Sequence, residues 1–415
     1  MSLEEPLFRS RPGADRIAGA RPGATEAVVP GIWLSPGLSN SYLLTTSEGR
    51  VVVNTGMGFE GPVHRENYDA IDRSLIRYVI LTQGHYDHVG GADAFVNDHT
   101  DIVAQANWDS WRRDNELLAP FRIANSAFAF AATTTRAIQE AIARYGTVPA
   151  QAAPRPTVVV DDRLDLTVGG RRMELHATPG GETTDSLVIW LPDEGVCLCG
   201  NVFGALFGHI PNLVTMRGDR YRDALTVADS IEKVRLLGAE TLLTGHFEPV
   251  RGRRRIDSEL SRLRDAVLYL HDATVAGMNA GKDVHTLMRE ITLPPPLEVG
   301  QGYGMVRWNV RAIWENYAGW FHHRSTAELY AEAPQATAAD LVELAGAESL
   351  ITRARRHLAD GNAVHAIQLA EVVRQVDSAD AAAAQVLVQA HQRLLETSTN
   401  FWETAWLRKQ IEELS

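Results

Sequence analysis

His85, Asp87 and His88 fall within four residues of each other in Leu81-Thr82-Gln83-Gly84-His85-Tyr86-Asp87-His88-Val89-Gly90-Gly91. Imidazole nitrogen and carboxylate oxygen are the donors zinc accepts, and three such ligands with one open position make a hydrolytic metal site. The apolar run Val79-Ile80-Leu81 stands directly before the cluster, and paired glycines follow it. A strand ending in this way aims several ligands at one point. Gln83 precedes the cluster at the same two-residue spacing, but a carboxamide is a weaker, neutral donor.

The elements that must hold such a cluster are legible on either side. From Val28 to about Val250 the chain is a series of short β-rich runs, among them Val51-Val52-Val53, Tyr78-Val79-Ile80-Leu81, Thr157-Val158-Val159-Val160, Ser186-Leu187-Val188-Ile189-Trp190, Val196-Cys197-Leu198-Cys199 and Thr241-Leu242-Leu243-Thr244. Helical patterns interrupt them near 66–76, 92–97, 107–145 and 221–238. This order predicts a layered α/β sandwich with ligands at strand ends. The stretch 107–145 exceeds a simple crossover and carries Trp108, Trp111, Phe121, Phe128 and Phe130. It reads as a lid or substrate wall, or as a helical insertion packed on its own domain.

After about residue 258 the strands stop. A helix from Ser258 to Gly281, the stiff Leu293-Pro294-Pro295-Pro296-Leu297 and a Trp-rich helix lead into Ala-rich amphipathic helices at 338–344, 347–359, 363–375, 380–395 and 400–413. Their rhythm is that of helix-turn-helix repeats. The expected division is an arm over 1–27, a catalytic domain over 28–257 and a helical domain over 258–415.

Length of 415 residues fits two or three domains, and a net charge of -12 argues against nucleic acid or an anionic membrane as partner. Arg251-Gly252-Arg253-Arg254-Arg255 reads as a solvated loop rather than a binding patch. Cys197 and Cys199 lie two apart in an apolar strand, as core thiols of a reducing compartment do. No signal pattern opens the chain and no apolar run reaches membrane length, so a cytoplasmic location is expected.

The cluster resembles the His-x-His-x-Asp-His signature of the metallo-β-lactamase superfamily, with Gln83 at the first histidine. That resemblance implies the superfamily's αββα sandwich. It also draws in Pro179-Gly180-Gly181-Glu182, where Glu182 (or, failing it, Asp185) would be a ligand, and Thr244-Gly245-His246. Asn201 stands where a bridging carboxylate is usual, and Asn54 where a strand end usually carries aspartate. The block from Asn212-Leu213-Val214-Thr215-Met216-Arg217-Gly218 to Arg222-Asp223 is similar to a stretch of the zinc-dependent alkylsulfatases. So is Gly302-Tyr303-Gly304 with Asn309-Val310-Arg311-Ala312 and Gly319-Trp320-Phe321.

Carried over residue by residue, the alkylsulfatase resemblance implies one metal at Gln83, His85 and Glu182. It implies another at Asp87, His88 and His246, with Asn201 between them. The second set is intact, whereas amides at 54, 83 and 201 weaken the first, so one zinc is expected rather than two. Iron or manganese would accept the same donors. The resemblance implies a metal-dependent ester hydrolase acting on a small-molecule sulfate ester, with Asp87 as ligand, base or both, and Asn212 and Arg217 at the sulfate. A salt bridge from Arg217 to Asp219 or Asp223 is the plainer reading of that arginine. Lactone, thioester or carboxylic ester hydrolysis is the alternative chemistry, and a metal-depleted binding protein the alternative to catalysis. The helical region resembles a dimerisation domain, so a homodimer is expected. Alkylsulfatases usually carry a further lipid-transfer-like domain; the sequence runs to Ser415 without one, and with the aromatics this leans away from long detergent chains.

Overall fold

The computed structural model describes residues 5–415. By chain contacts it forms two compact units, one ending at Tyr317 and one running from Ala318 to Ser415.

In the first unit a seven-stranded sheet runs in sequence order: β1 (Glu26–Val29), β2 (Ile32–Ser35), β3 (Ser41–Thr46), β4 (Gly49–Val53), β5 (Ile76–Ile80), β6 (Asp101–Gln105) and β7 (Val158–Val160). A six-stranded sheet contains β8 (Arg163–Val168), β9 (Arg171–Ala177), β10 (Leu187–Leu191), β11 (Val196–Gly200), β12 (Thr241–Thr244) and β13 (Val250–Arg251). Alternation along the strands decides which side faces in. Ile32, Leu34, Tyr42, Leu44, Val51 and Val53 meet Leu175, Leu187, Ile189, Leu198 and Leu243 between the sheets. The intervening Leu43, Val52 and Val79 pack outward on Tyr68, Val89 and Phe95. Each fully buried side chain of this size contributes roughly 1.5–3 kcal/mol of hydrophobic stabilisation.

The helices of this unit are α1 (Gly61–Asp69), α2 (Tyr86–Val89), α3 (Trp108–Leu117), α4 (Ala119–Tyr145), α5 (Ala224–Leu237), α6 (Arg253–Asn279), α7 (Val284–Glu290) and α8 (Val306–Ala318). Strand β4 pairs parallel to β5, and β11 parallel to β12. Within each pair the two strands therefore deliver their C-terminal loops to one side.

Several sequence expectations shift. The helix expected over 66–76 occupies Gly61–Asp69, with Pro62 in its first turn where no hydrogen-bond donor is needed. The helix expected near 92–97 is a single 3-10 turn, Ala92–Ala94. The stretch 107–145 is two helices joined at Leu118, and the helix expected from Ser258 begins at Arg253. Strand β8 escaped the pattern because its Arg163 and Asp165 are exposed on an edge.

The second unit holds α9 (Ala338–Ala345), α10 (Ala347–Ala359), α11 (Ala363–Val376), α12 (Ala381–Leu395) and α13 (Phe401–Leu414). Ala354, Ala366, Ala370, Ala383 and Ala390 are buried with Ile351, Val373 and Val386. Small side chains let these helices approach closely.

Candidate metal centre

Four of the predicted positions follow the strands just paired: Asn54 after β4, the 83–88 cluster after β5, Asn201 after β11 and His246 after β12. Glu182 comes from the β9–β10 connection. After β5 the chain turns through Gly84 into α2, where a Cβ at Gly84 would lie 2.2 Å from the Trp111 ring and 2.8 Å from Asp185. That crowding is why the turn needs glycine.

Asp87, His88 and His246 bring ligand atoms within 4.8 Å of one another, and they form the one such cluster of three or more His, Cys, Asp or Glu among the described residues. His88 Nε2 lies 3.5 Å from Asp87 Oδ2. Burial lowers His88 to about 4 and lowers His246, so both imidazoles are neutral at physiological pH, as ligands must be. Two buried imidazoles and one half-buried carboxylate suit a single zinc ion, and this set fits the metal.

The other set also converges, but as a hydrogen-bonded cluster. Gln83 Nε2 donates to Glu182 Oε2 at 3.2 Å and stands 2.8 Å from His85 Nδ1. Asn201 Nδ2 donates to the same Glu182 oxygen at 2.9 Å and stands 3.1 Å from His246 Nε2. Amide N–H groups thus point where a cation would have to sit. Gln83 Oε1 and Asn201 Oδ1 are buried without a hydrogen-bond partner among the described residues. Burial alone would push Glu182 up, but its hydrogen bond with His85 and the charges of Arg222 and Arg217 hold it well below the usual carboxylate range. A carboxylate already satisfied this way does not call for a second metal, and these residues do not fit one as they stand.

Arg217 lies beside this cluster. Its Nη2 is 2.8 Å from His85 Nε2, and its Nε donates to Asp219 at 3.2 Å, so the expected salt bridge to Asp219 is present. Asp223 instead caps α5 through Thr226 N. Asp219 also pairs with Arg122 of α4 at 3.0 Å; Arg122 stacks over Trp111, whose ring meets His85 edge-on. His85, Arg217, Asp219, Arg122 and Trp111 form a closed ring of contacts, so Trp111 and Arg122 of the 107–145 insertion border this cluster, while Ala137 and Ala141 further along pack with Leu38 and Phe59 of its own domain. Asn212 is buried with Nδ2 lacking a hydrogen-bond partner among the described residues; Arg222 Nη1 donates to the Asn212 carbonyl and its Nη2 pairs with Asp219 at 3.8 Å. Asp185 is buried beside Gly84, and burial outweighs its polar contacts with Thr183 and the Gly84 backbone to raise it to about 6.

Sequence reasoning gave no role to several residues now at the site. Tyr303 is buried within electrostatic reach of Glu182, Arg217, Asp87 and Arg222. Its motif was visible, its destination was not. Arg11 reaches from the arm to the loop that carries His246, donating to the carbonyls of His246 at 3.3 Å and Glu248 at 3.1 Å. Phe247 in that loop has φ of 63°, a costly conformation for an aromatic residue. Asn40 grips its carbonyl at 2.8 Å. Nothing in the composition of the arm announced this contact.

Comparison with known proteins agrees with this geometry. Residues 284–415 match the alkyl sulfatase dimerisation family, and residues 34–246 match the metallo-beta-lactamase superfamily. A linear primary-alkylsulfatase from a Pseudomonas species is 28% identical, over 89% of this chain and 73% of its own length. The alkyl/aryl-sulfatase BDS1 of Saccharomyces cerevisiae is 26% identical over 81% of this chain, which spans only 55% of that relative. The stereoselective inverting sec-alkylsulfatase Pisa1 from Pseudomonas sp. shares the fold with a TM-score of 0.80, at 22% identity over 94% of this chain and 66% of that one. The sandwich, the cluster at its strand ends and the match over more than half its length make this chain a member of the metallo-β-lactamase superfamily, with an alkylsulfatase-type helical region after its sandwich.

Proposed function

We propose that this protein is a metal-dependent hydrolase that cleaves the sulfate ester of a small organic molecule. The observation that carries the reading is the trio Asp87, His88 and His246 beside a buried arginine cluster. Among the described residues, Arg122, Arg217 and Arg222 share Asp219, Glu182 acts on Arg217 and Arg222, and Asp87 acts on Arg217. Three cations there meet three carboxylates, and a divalent metal held on Asp87 would add the excess of positive charge that suits an anionic group.

Asp87, His88 and His246 would hold one zinc ion; iron and manganese are compatible with the same donors. A metal held there supplies an activated water at neutral pH and polarises the bond under attack. The chain's own part is to seat and orient the ester. Arg217 stands beside His85 and Asp219, and a guanidinium donates parallel hydrogen bonds to a tetrahedral oxyanion. Asn212 Nδ2 is a further donor without an acceptor among the described residues, and Arg222 Nη2 makes only a 3.8 Å ion pair with Asp219. Donors fixed in advance around developing charge are the largest source of rate in such sites. Trp111 and the start of α4 shield this seat from water.

We assign the catalytic domain to 28–257 and a dimer-forming helical region to 258–415, with 1–27 as an arm. The match of 284–415 to a dimerisation family supports a homodimer. Cys197 and Cys199 are buried free thiols, which supports a reducing, cytoplasmic setting. No described helix is long and apolar enough to cross a membrane.

Sulfate release from alkyl sulfates of graded chain length, measured on zinc-loaded protein, tests the reaction. Turnover of a carboxylic ester or lactone with no sulfate release from any alkyl sulfate would overturn it.

A further inference from the structure

We infer that Asn54 and Ser39 set which nitrogen of His88 carries the proton, and that Asn54 thereby holds down the metal affinity of the Asp87, His88 and His246 trio. The inference rests on the reading of that trio as a metal site.

The polarity of the contacts is fixed from outside. Thr82 N–H can only donate, and it donates to Asn54 Oδ1 at 3.0 Å; Thr82 Oγ1 donates to the same oxygen at 3.1 Å. The Asn54 oxygen is therefore committed to Thr82, and the amide turns Nδ2 toward His88 Nδ1 at 3.0 Å. An amide nitrogen donates, so Nδ1 has to accept. A neutral imidazole has one proton. It then sits on Nε2, the nitrogen 3.5 Å from Asp87. A protonated nitrogen cannot ligate a cation.

Ser39 favours the opposite arrangement. Its hydroxyl donates to the Gly245 carbonyl at 3.1 Å and lies 3.0 Å from His88 Nδ1 and 3.3 Å from Nε2, so its lone pair can accept from either nitrogen and is nearer to Nδ1. A proton there leaves Nε2 bare for a metal but sets Nδ1–H against the Asn54 amide. His88 is fully buried, so bulk solvent does not relieve the conflict. His246 shows no such conflict, because its Nε2 faces the Asn201 amide and accepts, leaving its proton on Nδ1.

An aspartate at position 54 would accept from Thr82 N, Thr82 Oγ1 and His88 Nδ1–H together. Its backbone φ of 57° is one that aspartate and asparagine both tolerate. Asn54 is thus a positioning residue that acts through His88.

The test is zinc affinity of the full-length chain, titrated against a competing chelator, for the native protein, Asn54→Asp and Ser39→Ala. Asn54→Asp should bind zinc about tenfold or more tighter, and Ser39→Ala weaker by a similar factor. If Asn54→Asp gains no affinity, the inference is overturned while the trio's reading as a metal site stands or falls on the native protein's own zinc binding. If only Asn54→Asp binds zinc, the inference holds and native metal dependence is overturned. Nitrogen chemical shifts of His88 in metal-free native protein give a reading independent of any variant: a proton on Nε2 is expected, and a proton on Nδ1 would contradict the assignment.

Discussion

Arg217 Nη2 stands 2.8 Å from Nε2 of His85, while the amide of Gln83 stands 2.8 Å from Nδ1 of the same ring. A neutral imidazole accepts at only one nitrogen. Arg217 and Gln83 therefore compete for His85, and while Arg217 holds Nε2 the proton lies on Nδ1, closing that nitrogen to a cation. An anion that draws Arg217 away frees His85. If Arg217 seats the ester as proposed, the same arginine would also withhold His85 from a metal in the Gln83, His85 and Glu182 cluster.

Replacing Arg217 by alanine should cost about 100-fold in kcat/KM toward a sulfate ester, because it removes a preorganised donor to the developing charge. Lysine should recover little, since one ammonium cannot bond both Asp219 and an anion in the guanidinium geometry. Steady-state kinetics and inhibition by inorganic sulfate check this; native-like sulfate inhibition in both variants would assign Arg217 to structure alone.

His88→Ala should abolish metal binding and turnover, and Gln83→Ala should leave the tight metal in place. Gln83→His together with Asn201→Glu should admit a second metal, since both amide donors on Glu182 are then gone. Metal analysis after dialysis reads all three. Equal loss of metal in His88→Ala and Gln83→Ala would show that the two clusters are one site.

Arg11→Ala should weaken zinc retention and loosen the His246 loop. Phe247 keeps a left-handed backbone there because its own carbonyl is held by Asn40 and its neighbours' carbonyls by Arg11, Ser39 and Tyr42. Phe247→Gly in the Arg11→Ala background should restore retention, as glycine adopts that φ without strain. Chelator competition measures both.

Glu60 is buried and accepts backbone N–H groups from Ala20, Leu38 and Met57. Burial outweighs these bonds and raises its pKa from 4.5 to about 7. A folded-state pKa above the unfolded one means the folded protein binds the extra proton. The stability so gained is full below the unfolded value and is lost as pH rises through about 7. Its size is on the order of 3 kcal/mol. Denaturant unfolding from pH 4.5 to 8 should show this decline in the native protein and a flatter profile in Glu60→Gln.

Much of this molecule can be read from its sequence because the site is built from strand ends. Runs such as Val51-Val52-Val53 and Tyr78-Val79-Ile80-Leu81 announce buried parallel strands, and the polar residues after them have to face one side. The strand pattern sets the His85, Asp87 and His88 cluster at a strand end, and the resemblance to the superfamily adds Asn54, Asn201 and His246 to it without coordinates. What could not be read is reach across the chain. Arg122 lies 97 positions from Asp219 and Arg11 lies 235 from His246, and neither pairing leaves a local pattern. Hydrogen-bond polarity is equally hidden: the sequence shows three amides, but Thr82 decides which way Asn54 points, and Glu182 decides it for Gln83 and Asn201.

The central claim is one metal on Asp87, His88 and His246, with the Gln83, Glu182 and Asn201 cluster held together by hydrogen bonds instead. Metal content of protein purified without chelator, and again after reconstitution with excess zinc and dialysis, tests it most directly. The expected result is about one equivalent of zinc, lost in His88→Ala and kept in Gln83→Ala. A stoichiometry near two, or one below about a tenth of an equivalent after reconstitution, would contradict it.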